Sequence, residues 1–386
     1  MAVVRIDATL ELAGAPPQTR FFRGPVTVTY AWDVTGGRVS DGPRLLTQVF
    51  PGLPASFHNG IDAAVIESGD KALLFKDDRY CRVDLRARTS EAERSILTDF
   101  GLPSAYVDSA LAGRGAYAGK TYFFHGPRYF KVGANGVEEP RIRDIEGGWH
   151  LPAPFSSGID AATNGFLIGT NSAAFFRFDR YISYDWVNDR TNSAALRIVD
   201  GWPGVAEMLQ AGLATVEALT WVRAARAALG TSGTPTDATT LAALAAHFKA
   251  GAVAQLATIR RSFETIERLL LAMPERYRFR DLDEAVTDGG VGGDNPAAPR
   301  PARDRVVPAY QSGGVVSFTP VFVGQLPKAQ AAMVIHEMLH TFDGLSGSAS
   351  THISEWYTTA DTFFTPGIFA TTYTAQPTQH AIHNPS

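Results

Sequence analysis

Up to about residue 200 the apolar residues fall in short aromatic-rich runs that recur. Ile6-Asp7-Ala8, Ile61-Asp62-Ala63-Ala64, Val107-Asp108-Ser109-Ala110 and Ile159-Asp160-Ala161-Ala162 are four versions of one phrase, at intervals of about 50 residues. Each precedes an aromatic phrase: Phe21-Phe22-Arg23-Gly24, Leu74-Phe75-Lys76-Asp77, Phe123-Phe124-His125-Gly126 and Phe175-Phe176-Arg177-Phe178. In the last three repeats Arg79-Tyr80, Arg128-Tyr129 and Arg180-Tyr181 follow. A Gly/Pro turn closes each repeat, as at Pro51-Gly52-Leu53-Pro54 and Gly201-Trp202-Pro203-Gly204. Such runs, bounded by turn residues, predict short strands.

A sheet of this size cannot bury both faces alone, whereas four packed radially can. The expected fold of residues 1–203 is therefore an all-β, four-bladed propeller. The Ala after Asp7, Asp62 and Asp160 suits crowding near an axis. The four aspartates read as turn acceptors rather than catalytic groups.

From Val205 the pattern changes to helical spacing: Leu209, Leu213 and Val216, then Leu256, Ile259, Phe263, Ile266 and Leu270. Asp237 reads as a cap for a helix carrying Leu241, Leu244 and Phe248. Residues 287–304 read as a loop, and Gly314–Thr319 with Val321–Val323 as a strand pair or one bent strand. Pro327 marks the first turn of a last helix.

That helix carries His336-Glu337-Met338-Leu339-His340, the H-E-x-x-H pattern. Residues i and i+4 share one helix face, so His336 and His340 can reach one Zn²⁺, with Glu337 placed to take a proton from a metal-bound water. A catalytic zinc needs a third protein ligand. Glu355 and His352 lead, ahead of Asp343 and Asp361. Tyr357 or His352 is the candidate oxyanion donor, with packing beside Trp356 an equal reading for Tyr357. The competing view of the motif is a structural pair of histidines.

Composition narrows the classes. With 45% apolar and 19% charged residues, the chain of 386 residues reads as globular, with two or three domains. A net charge of −4 gives no reason to expect nucleic acid. No apolar run is long enough to span a membrane. The first residues lack a secretory pattern and Cys81 is alone, so a cytoplasmic location or leaderless export is expected.

Residues 1–203, through these four phrases, resemble hemopexin repeats. The resemblance implies a four-bladed propeller serving as a docking surface for a protein or glycan, with a structural ion in its central channel. The first repeat departs from the pattern, with Val26-Thr27-Val28-Thr29-Tyr30 in place of Arg-Tyr. Residues 204–386 resemble the zincin metallopeptidases of the aspzincin group, which includes lysine-specific metallo-endopeptidases. That resemblance implies a mainly α, zincin-like domain cleaving a protein or peptide substrate, with an edge strand before the active helix. Metzincin spacing is absent, because Ser346 stands where its third histidine would be. The aspzincin aspartate also has no clean counterpart, and Glu355 would do its job. The expected function is a zinc-dependent metallo-endopeptidase with a docking propeller. The alternative is a ligand- or protein-binding propeller protein with a degenerate, inactive, toxin-like protease half.

Overall fold

A computed structural model describes residues 4–12, 17–33, 36–164, 171–248, 252–291 and 301–346. The chain divides into two compact units, Met1–Gly212 and Leu213–Ser386.

In the first unit each repeat makes one antiparallel sheet. The first contains β1 (Ala8–Leu12), β2 (Gln18–Arg23), β3 (Val26–Asp33) and β4 (Gly36–Leu45) in that order. The second has β5 (Ala63–Ser68), β6 (Lys71–Lys76) and β7 (Arg79–Asp84), with β8 (Thr89–Ser90) and β9 (Arg94–Ser95) both on β7. The third has β10 (Ser109–Ala112), β11 (Thr121–His125) and β12 (Arg128–Gly133), flanked by β13 (Gly136–Val137) and β14 (Arg143–Asp144). The fourth has β15 (Ala161–Asn164), β16 (Ser172–Arg177) and β17 (Arg180–Asp185), flanked by β18 (Arg190–Thr191) and β19 (Leu196–Arg197). Short helices close the repeats: α1 (Leu46–Val49), α2 (Ile96–Phe100), α3 (Ile145–Trp149) and α4 (Ile198–Gly201).

Period-two alternation explains the paired aromatic residues. Consecutive side chains on a strand face opposite ways, so each pair serves both neighbouring sheets. Phe21 meets Phe176 of the fourth sheet at 5.6 Å, while Phe22 packs with Phe50 and Ala64 of the first–second seam. Phe75 meets Phe123 at 5.5 Å and Phe124 meets Phe175 at 5.8 Å. Trp149 and Trp202, after Gly148 and Gly201, fill the same seams. A Cβ at either glycine would run into the ring and hydroxyl of Tyr129 or Tyr181. That contact explains both the Arg-Tyr phrase and the glycine before tryptophan.

The first strands neighbour one another in the cycle β1, β5, β10, β15 and back to β1. Equal positions meet: Thr9 Oγ1 donates to Ala162 O at 2.7 Å, and Asn164 Nδ2 to Ala112 O at 2.7 Å. No backbone ladder joins one sheet to the next among the described residues. Neighbouring sheets meet through side chains, each ladder ends at its own edge strands, and no closed propeller sheet forms. The expected class, an all-β four-bladed propeller followed by a mainly α zincin-like domain, is therefore corrected. The chain is a mixed α/β architecture with several separate antiparallel sheets.

Helix α5 (Val205–Leu229) begins in the first unit, where Gln210 accepts a hydrogen bond from Arg23 at 3.0 Å and Gly212 lies against Val26 and Pro43. The second unit holds α6 (Ala238–Phe248), α7 (Leu256–Leu271), α8 (Met273–Arg276), α9 (Leu282–Thr287) and α10 (Pro327–Ser346). Asp237 caps α6 through Thr240 N–H, as its place in the sequence suggests. Leu229, Leu244, Leu256 and Ile259 form one apolar cluster. A three-stranded sheet runs β20 (Tyr277–Phe279), β22 (Val315–Phe318), β21 (Ala309–Ser312). The expected strand pair differs from the observed one. Gly313 and Gly314, both at positive φ, turn β21 back into β22, and after Pro320 the chain forms a 3-10 turn over Phe322–Gly324, with Val321 at its cap. The strand that precedes α10 is therefore the central one, not an edge.

Candidate functional site

Helix α10 packs on α7, β21 and β22. Gln330, Ala331, Val334, Glu337 and Met338 lie on its buried face, at helical spacing. Gln330 Nε2 donates to Phe322 O at 2.8 Å, fixing the first turn. Glu337 is 9% exposed and His336 is half-buried. His340 belongs to the helix, but its side chain lies outside the described residues, as do Glu355, His352 and Tyr357.

Among the described residues, no group of three or more His, Cys, Asp or Glu side chains could hold a metal ion. The expected zinc cofactor is thus corrected, and with it the reading of the chain as a zinc metallo-endopeptidase, while the ligand set His336, His340 and Glu355 falls partly outside the described residues. The physical reason lies in the donor set. His336 and Glu337 are next to each other on a helix that packs against a sheet, and the described neighbours bring no further ligand. The expected channel ion falls under the same finding, because no described acidic or histidine cluster converges on the first strands.

The four repeats do bring chemistry-bearing residues together elsewhere. Each repeat aspartate receives a backbone N–H from the turn between the second and third strands: Gly24 to Asp7, Asp77 to Asp62, Gly126 to Asp108 and Phe178 to Asp160, all at 2.7 Å. Those four turn residues are left-handed, with φ of 50, 52, 53 and 56°. The carboxylate thus holds a turn that glycine adopts freely and that Asp77 and Phe178 adopt at a cost. The aspartates are turn acceptors, as the sequence suggests.

Beside each aspartate stands a base. Lys76 Nζ lies 2.7 Å from Asp62, and Arg177 Nη1 2.8 Å from Asp160, which Arg5 also reaches at 3.2 Å. His125 Nδ1 is 3.5 Å from Asp108. Arg23 faces Asp7 and donates to Gln210. Burial pushes the Asp7 carboxyl up, against the opposing pull of Gly24 N–H, Arg5 and Arg23. Burial raises the Lys76 environment's cost too, but its hydrogen bond and charge contact with Asp62 leave the ammonium raised overall.

Because equal positions of neighbouring first strands meet, these strands run the same way and the turns share one end of the unit. Two aromatic side chains stand there in solvent. Phe178 is 47% exposed beneath the Arg177 guanidinium, 4.7 Å away, and Tyr106 is 55% exposed beside His125. The basic partners were missed from the sequence, although the signal is present: the residue after Phe22, Phe75, Phe124 and Phe176 is Arg23, Lys76, His125 and Arg177. A polar concavity of about 480 Å³ lies in the second unit, lined by Arg280, Asp281, Asp283, Glu284, Thr287 and Asp288. Asp281 and Glu284 cap α9, Asp288 pairs with Arg280, and Asp283 faces Arg303.

No family model matches the chain. It is similar to matrix metalloproteinase-20 of Homo sapiens, 30% identical over 166 residues, which are 40% of this chain and 32% of that protein. The chain therefore spans well under half of the curated relative it matches. Solved structures resembling it include a hemopexin fold protein from cow pea (20% identity, 51% of this chain, 95% of that one, TM-score 0.45). A seed albumin from Lathyrus sativus covers 54% of this chain and 99% of its own, at 20% identity and a TM-score of 0.48. A plant lectin with two metal binding sites from Cicer arietinum is 20% identical over 51% of this chain and 95% of its own, at a TM-score of 0.44. Among the described residues no helix is long and apolar enough to cross a membrane.

Proposed function

We propose that this chain is a protein-binding protein whose four-sheet unit, assigned to residues 1–203, carries the recognition surface. One observation carries the reading: four turns present aspartate–base pairs at one end of the unit, with Phe178 and Tyr106 exposed among them. Turns on a fixed scaffold are suited to recognition, because little ordering remains to be done on binding. Exposed aromatic and arginine side chains supply anchoring contacts, and charge pairs supply orientation. In this reading α10 is a packing helix, and Glu337 belongs to its buried face. The name of the human relative denotes a matrix proteinase. Only the notion of a protein partner is taken from it.

The reading is tested by capturing partners on the immobilised chain and remeasuring the purified partner against a Lys76→Glu, Phe178→Ala double variant. A loss of affinity of about tenfold or more is expected. Equal affinity for both proteins would remove the turn end from the account.

A further inference from the structure

Three arginines collect around α1, between the first and second sheets. Arg20 on β2 pairs with Thr29 on β3, which pairs in turn with Asp41 on β4, so the three form one row across the sheet. The Arg20 guanidinium lies 5.9 Å from the centre of the Phe50 ring, directly after α1, and its Nε donates to Thr29 Oγ1 at 3.2 Å. Arg44, just before α1, holds Asp41 through Nε at 2.8 and 2.9 Å. Arg88 arrives from the β7–β8 turn of the second sheet and donates through Nη2 to Gln48 O at 2.5 Å. Asp41 is the carboxylate that meets Arg20 and Arg44.

Among the described residues, three positive charges against Asp41 leave an excess where Arg20 and Arg44 are half-buried and Arg88 is exposed. Among the described residues the fork of Arg20 uses only Nε, so its two terminal nitrogens keep their donors for something else. Arg44 likewise spends only Nε on Asp41. A guanidinium fork matches the paired oxygens of sulfate, phosphate or carboxylate groups, and charge-assisted bonds of this kind are strong. Burial lowers the Arg20 pKa to about 10; Asp41 opposes this, whereas Arg44 and Arg88 repel it further. An anion seated among them would relieve that repulsion.

We propose that Arg20, Arg44 and Arg88 form a binding site for a tetrahedral oxyanion, a sulfate or phosphate group carried as an ester. The site is independent of the turn-end reading, as none of its residues belongs to that surface. Calorimetric titration of the full chain with glucose 6-sulfate, glucose 6-phosphate and inorganic sulfate, each at constant ionic strength against chloride, tests it. Saturable binding is expected, weakened about tenfold by Arg88→Ala and by Arg20→Lys. The lysine keeps the charge but loses the fork, and unchanged melting of both variants shows that the fold survives. Preference between the two esters tells which group the site takes. Flat isotherms with all three anions, or equal affinity in wild type and both variants, would overturn the assignment.

Discussion

Glu207, in the first turn of α5, is 3% exposed, and one of its carboxyl oxygens has no hydrogen-bond partner among the described residues. Burial pushes its pKa up to about 7, with backbone N–H bonds opposing. A folded pKa above the ordinary 4.5 means that the native state holds a proton the unfolded chain has released. Stability is then fullest below pH 4.5 and declines as pH rises to about 7. Glu207→Gln is expected to remove this decline, raising stability at pH 8 by on the order of 2 kcal/mol and changing little at pH 4.5. Urea unfolding at the two pH values measures it, and an equal effect at both would refute the role. Burial likewise drives the Cys81 thiol up to about 12, beneath the first–second seam. Native protein should leave a thiol reagent unreacted, and denatured protein should consume one equivalent per chain. Gly201→Ala should destabilise by about 2 kcal/mol, because the new methyl meets the Tyr181 ring. The matching change at Gly52, where a Cβ meets nothing, should cost less, and its penalty comes from positive φ alone.

At the scale of elements, the strands of the four repeats were legible because alternation, aromatic pairs and turn residues all pointed the same way. So was the start of α10, with Pro327 at its first position. What could not be read was how the pieces associate. β21 was missed because Ala309-Tyr310-Gln311-Ser312 has a mixed, polar pattern, and only pairing through the Gly313–Gly314 turn makes it a strand. β20 is three residues long and joins β22 in parallel, a pairing that local sequence does not encode. The motif on α10 was legible as spacing, but spacing alone does not supply a third ligand. Glu337 packs with Val334 and Met338 on the buried face. Met338→Ala should therefore cost about 2–4 kcal/mol in a melting experiment, through the cavity it leaves. Glu337→Gln should leave partner affinity unchanged in the same binding assay as the turn variants.

For the whole molecule, the account makes the four-sheet unit the working part. First and last repeats are joined without a disulfide, through Thr9 to Ala162, Arg5 to Asp160 and the packing of Phe21, Phe176 and Trp202. These contacts hold the four turns in fixed relation, which a shared binding surface requires. The most direct test of binding rather than zinc hydrolysis is the zinc content of the purified full chain. It should be measured after equilibrium dialysis against micromolar zinc, with His336→Ala alongside. The account predicts far less than one zinc per chain and no difference between the two proteins. One zinc per chain, lost on His336→Ala, would contradict it.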